Sequence, residues 1–219
     1  MGIISGLISL LGCNNKPENK PSDTDSTGKI EMINPKDLLF TIPTIENALP
    51  AFEDKTDSTN IAFHEDEWRQ IEFISKDQKA SINKEIAGIK NIYDTFSHKT
   101  DSFTAFKEMF VRESITKPLQ ISFSKVKTSL CGNNPIKGLG LYNNEGRVKN
   151  GFAFSNDGIT YYGIAENNTV TTLCIYGAES EKDYKTATTK WAKFLKEENL
   201  YLVDWRAMGV FDEENVIKD

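Results

Sequence analysis

The chain has 219 residues, of which 38% are hydrophobic, and 13 Phe, 7 Tyr and 3 Trp supply enough apolar area for one domain with a real core. A net charge of −6 argues against a nucleic-acid binder, and two histidines exclude a site built on three histidine ligands.

Residues 2–12 form an uncharged run rich in Ile and Leu, ending in Leu10-Leu11-Gly12-Cys13 and followed by polar Asn14-Asn15-Lys16-Pro17. At about half the roughly 20 residues that span a bilayer, the run suits the apolar segment of a signal peptide. Leu10-Leu11-Gly12-Cys13 resembles the lipobox of bacterial lipoprotein signal peptides, although residues 1–12 carry no Lys or Arg. The resemblance implies cleavage before Cys13, a diacylglyceryl group on its thiol and a fatty acyl (palmitate-type) membrane anchor. Asn14 rather than Asp after it implies the outer membrane, so the expected location is the periplasm or cell surface. Residues 1–12 are then signal peptide, 13–29 lipidated Cys and tether, and 30–219 a single folded domain. Residues 14–29 contain no aliphatic or aromatic side chain and two prolines, a composition that cannot offset chain entropy by burial.

Pro35, Pro43 and Pro50 break any long element in residues 30–60. Residues 61–63 and 68–75 read as strands; in the second, Ile71 and Phe73 alternate with polar positions and should face the core. Between them lies the most unusual local cluster, His64-Glu65-Asp66-Glu67-Trp68: three acids between a His and a Trp. It lacks the second His of a helical zinc motif. It reads either as a grip on a cationic partner or as a solvated turn anchored by Trp68.

Ile82, Ile86, Ile89, Tyr93 and Phe96 recur at spacings of 4, 3, 4 and 3, which predicts a helix over residues 76–97, with Ser75 and Gln78 as a capping box. Phe103, Phe106 and Phe110 suggest a short second helix. Residues 118–126 and 138–142, 151–154, 159–165 and 170–176 read as strands. Their breaks are turn-formers, among them Asn156-Asp157-Gly158 and Glu166-Asn167-Asn168. A last helix over 180–198 turns Tyr184, Ala187, Trp191, Phe194 and Leu195 inward, and residues 200–205 form a strand that rejoins the sheet. The fold class is α+β: an antiparallel sheet, with a meander in the C-terminal half and two main helices packed on one face.

Three cysteines are present. With Cys13 acylated in an oxidising compartment, Cys131 and Cys174 are expected to form a disulfide. Charge is blocked along the chain: residues 31–75 hold three positive and ten negative side chains, 76–150 hold 13 and seven, and 151–219 hold seven and 12. Such asymmetry can steer an oppositely charged partner. There is no nucleophile elbow, Cys-x-x-Cys pair, dinucleotide loop, phosphate loop or EF-hand spacing. The expectation is a binding protein without a catalytic set, cofactor or metal, anchored to a membrane by lipid and taking a protein partner through His64, Glu65, Asp66, Glu67 and Trp68. One form is an immunity-type inhibitor of a periplasmic toxin. The alternative is an envelope hydrolase, or a glycan or small-ligand binder, with an unrecognised cleft, for which Glu72, Asp204 and Trp205 are candidates.

Overall fold

The computed structural model describes residues 39–54, 60–100, 103–113, 117–142, 146–178 and 181–217. Cys13, the apolar run and the tether lie outside them. In chain order the strands and helices are β1 (Thr44–Glu46), β2 (Phe52–Glu53), β3 (Ile61–His64), β4 (Ile71–Ser75), α1 (Lys79–Phe96), β5 (Ser97–Lys99), β6 (Thr104–Phe106), β7 (Phe110–Arg112), β8 (Ile121–Ser122), α2 (Phe123–Val126), β9 (Leu139–Tyr142), β10 (Arg147–Val148), β11 (Gly151–Asn156), β12 (Ile159–Glu166), β13 (Thr169–Ala178), α3 (Glu181–Glu198), β14 (Leu200–Asp204) and β15 (Gly209–Phe211). Single 3-10 turns span Glu65–Glu67 and Lys76–Gln78, and a π-helical turn spans Lys127–Cys131.

The main sheet runs β11-β12-β13-β4-β14-β15, with β8 on the edge of β13, and every pairing in it is antiparallel. The sequence predicts an antiparallel meander of four or five strands; β11–β13 supply three of them, and residues 139–142 instead form β9, paired in parallel with β3. The turns of β11–β13 place Asp157 and Gly158, then Asn167 and Asn168, at positive φ, the conformation that two-residue hairpins require. The strand over residues 200–204 does rejoin the sheet, beside β4.

A single register row crosses the sheet: Ala153, Tyr162, Cys174, Glu72, Val203 and Val210. These side chains share one face, because successive residues of a strand point to opposite sides. Their neighbours Phe73, Leu173, Ile175 and Leu202 face the other way, onto Ala187, Trp191, Phe194 and Leu195 of α3. Ile74, Val203 and Trp205 instead meet Ile82 and Ile89 of α1. The class is α+β, and the two long helices cover opposite faces of the sheet rather than one. The rest of the α1 side is closed by Phe63, Trp68, Leu139, Leu141 and Val148 over Ala153, Tyr162 and Cys174.

That parity also corrects the expected disulfide. Cys174 points to the α1 side, while Cys131 packs with the α3-side core. Both are buried free thiols. Cys131 ends the π-helical turn and donates to the Asn134 carbonyl at 3.2 Å. Burial raises the pKa of both thiols, so neither has thiolate character.

Three local readings change as well. The predicted helix over Phe103, Phe106 and Phe110 is a pair of short strands, β6 and β7, with Phe103 54% exposed. Their spacing reflects packing on α1: Phe106 meets Tyr93 edge-on at 5.0 Å. The Phe110 ring occupies the space that a Cβ at Gly88 would need. Residues 118–126 are a strand only at Ile121–Ser122, because the Ser122 hydroxyl accepts from Lys125 N at 3.2 Å and caps α2. The Ser75–Gln78 capping box does not form; Gln78 donates to the Lys117 carbonyl at 2.9 Å instead.

Candidate protein-binding surface

β3 ends at His64, and Glu65–Glu67 then make one tight turn closed by Trp68 N donating to Glu65 O at 2.9 Å. His64 Nδ1 lies 3.3 Å from Asp66 N and 3.2 Å from Asp66 Oδ2. Neutral, it accepts from the amide and caps the turn; protonated, it pairs with the carboxylate. His64 and Asp66 are exposed, and Glu65 and Glu67 half-buried. Trp68 is not part of this surface. It is 3% exposed, packs on Tyr162 at 5.7 Å between ring centres, and donates its indole N–H to the Ala48 carbonyl at 3.2 Å. Of the five predicted contact residues, four are displayed together and the fifth is their internal anchor.

The turn is held from beneath. Gln70 Nε2 donates to the Asp66 carbonyl at 2.7 Å and to Thr44 O at 3.0 Å. The Tyr162 hydroxyl donates to Glu67 O at 2.9 Å and accepts from Arg69 N at 2.9 Å. Arg206 pairs with the Glu67 carboxylate at 2.8 Å. Arg69 sits at φ 54°, which is why the strand predicted from residue 68 begins at Ile71. The Gln70 and Tyr162 bonds fix backbone, and Arg206 holds the Glu67 carboxylate at the edge of the turn.

Under the turn lies a layer of buried charge. Arg69 Nε bonds Glu72 Oε2 at 2.7 Å, and Trp205 Nε1 donates to Glu72 Oε1 at 2.8 Å. Arg112 donates to Thr44 Oγ1 at 3.1 Å and to Arg69 O at 2.9 Å, and its guanidinium stands 5.2 Å from the centre of the Trp205 ring. Glu46 Oε2 lies 3.9 Å from both arginines. Burial lowers the Arg112 pKa against the pull of Glu72 and Glu46. Burial opposes charge on Arg69 too, but the same two carboxylates outweigh it and its pKa rises. Two cations and two anions thus close on themselves in the interior.

Two tyrosines complete the surface. Tyr142 stands opposite His64 in the parallel β3–β9 pair and is 58% exposed. Tyr176, 39% exposed, stacks on Phe63 at 5.1 Å. Its pKa is raised by burial and then by the Glu67 charge, which places the phenol beside the turn. In the sequence both tyrosines read only as the last residues of strands 138–142 and 170–176; their outward aim comes from how β9 and β13 are placed relative to β3. Aromatic side chains with one wet end are the group enriched at protein interfaces.

The hydrolase candidates are not gathered in an open cleft. Glu72, Asp204 and Trp205 are all buried, and both Glu72 oxygens are engaged. Glu72 and Arg69 reach the floor of a cleft of about 260 Å³ only as this closed pair. Asp204 accepts from Ala207 N at 2.9 Å, and burial raises its pKa. A raised native pKa means that ionised Asp204 weighs against the fold above that pKa, and that the penalty disappears as pH falls through it. Asp204→Asn keeps an acceptor for Ala207 N and should therefore match or exceed the parent in urea midpoint at pH 7. The difference should close as pH falls toward the ordinary aspartate range. A midpoint lower than the parent at pH 7 would show that the charge itself supports the fold.

Among the described residues, no group of three or more His, Cys, Asp and Glu side chains is placed to hold a metal ion, and no helix is long and apolar enough to cross a membrane. Comparison of the chain with protein-family models, with curated proteins and with solved structures gave no match.

Proposed function

We propose that this chain is a lipid-anchored extracytoplasmic binding protein whose acidic, tyrosine-bearing surface captures a basic protein partner, in the manner of an immunity-type inhibitor acting in the periplasm. The observation that carries the reading is the support beneath the turn: Gln70, Tyr162 and Arg206 hold the segment that displays Glu65, Asp66 and Glu67. Rigid display lowers the ordering cost of association, which is how a modest surface reaches high affinity. Carboxylates on its rim favour a cationic partner and raise the encounter rate, while Tyr142 and Tyr176 supply apolar area. The lipobox-like Leu10-Leu11-Gly12-Cys13 supports the envelope location.

The test is affinity capture from membranes of cells making the full chain, beside a Glu65→Lys/Asp66→Lys double variant. The expected result is one basic protein retained near one-to-one by the parent, with association slowed by salt. The double variant should bind it roughly tenfold or more weakly while unfolding at the parent's urea concentration. Equal capture by both forms, or association rates indifferent to salt, would overturn the proposal.

A further inference from the structure

A cleft lies at the opposite end of β9 from the acidic turn. Tyr142 closes one end of that strand; Gly138, just before the other, opens onto a cleft of about 480 Å³. This is within the range of pockets that take small molecules. Lys137 and Arg147 line it with Asn150 and Asn168, and no carboxylate is among its lining residues. Phe123 and Phe152 form an apolar wall, with ring centres 4.8 Å apart and planes tilted by 59°.

Two buried polar atoms of the described residues beside the cleft have no hydrogen-bond partner. Arg147 Nε and Asn60 Oδ1 are both buried and neither has a hydrogen bond. Arg147 Nε meets Glu53 Oε1 only at 3.8 Å, too far for a hydrogen bond. A Cβ at position 138 would overlap Asn60 Oδ1 and lie 2.8 Å from Arg147 Nε, so the glycine keeps this space open. Buried donors and acceptors are almost always satisfied, and one left unmade is costly. Both atoms lie beneath the cleft surface, so a bound molecule meets Arg147 through the exposed part of its side chain, which is 28% accessible.

We infer that this cleft binds a small organic anion with a flat apolar body, its charge held by Lys137 and Arg147 and its body against Phe123 and Phe152. The cations set the sign of the ligand: Glu53 lies beside Arg147, but Lys137 is exposed and no carboxylate lines the cleft itself. The aromatic wall sets its shape, because stacking needs a planar partner. Fork-shaped guanidinium geometry favours a carboxylate or a phosphate monoester over a lone halide.

Titration of the full chain with 1-naphthoate, followed by calorimetry, tests the assignment. Inorganic phosphate serves as the probe without an apolar body, and 1-naphthalenemethanol as the probe without charge. Saturable one-to-one binding of 1-naphthoate is expected, with both control probes about tenfold or more weaker. Lys137 is exposed, so Lys137→Glu should fold as the parent does and bind 1-naphthoate about tenfold or more weakly. It should leave partner capture by the acidic surface intact, which separates this site from that one. Absence of saturable binding, equal binding of the uncharged probe, or an unchanged affinity in Lys137→Glu would each overturn the inference.

Discussion

Arg112→Met should lower the free energy of unfolding by about 3–5 kcal/mol, read as a fall in the urea midpoint. Arg112 is 1% exposed, and its side chain ties Thr44 Oγ1, the Arg69 carbonyl and the face of Trp205 together. Methionine refills much of the volume but leaves Glu46 and Glu72 facing a single cation, Arg69. A buried carboxylate without its counter-charge costs far more than the pair contributes. Adding Glu46→Gln to Arg112→Met should recover part of the loss, and the non-additivity of the two is the measure of the cluster. A cost below about 1 kcal/mol would mean that water already reaches these groups. Arg112→Lys should also be damaging, because an ammonium cannot span two acceptors and lie flat on an indole.

The second large effect is expected at Trp191→Ala, also about 3–5 kcal/mol, with the unfolding temperature falling by on the order of 10 °C. Trp191 lies at the centre of α3, fully buried, edge-on to Tyr184 at 5.8 Å, with its indole N–H on the Tyr161 hydroxyl at 2.9 Å. Truncation opens a void between α3 and the β12 and β13 strands and strips Tyr161 of its donor. Trp191→Phe keeps most of the packing and should cost about 1–2 kcal/mol, chiefly the hydrogen bond and the smaller ring. Differential scanning calorimetry of the two variants separates packing from hydrogen bonding. Equal losses would place the whole effect in the Trp191–Tyr161 bond.

What could be read from the chain was local. Ile82 and Ile89 recur on one stripe of α1, and Asn156-Asp157-Gly158 turns a hairpin, because helix period and turn chemistry act over a few residues. The Phe103–Phe110 spacing misled because those rings answer to α1 and not to one another. The cysteine pairing failed on the parity of a single strand, which sends Cys174 and Leu173 to opposite sides. Of the acidic surface, the sequence displays the four polar members and hides the rest. Trp68 turns inward, and Tyr142 and Tyr176 turn outward, only because β3, β9 and β13 end where they do. Nothing local in the sequence reveals that burial closes Arg69, Glu72 and Arg112 on one another.

The position of β4 has a consequence in time. It sits between β13 and β14, joined to β13 at Glu72 and Cys174, about a hundred residues apart in the chain. The β11–β13 meander can assemble by itself through two tight turns, but its exposed edge stays open until that early segment returns. β14, which pairs along the whole of β4, has no place to dock before then. Assembly of this sheet therefore waits on one long-range loop closure, a slow step whose entropy is spent before the burial that repays it. Until it happens, the unpaired edge of β13 is the part of the chain most exposed to pairing with the wrong strand.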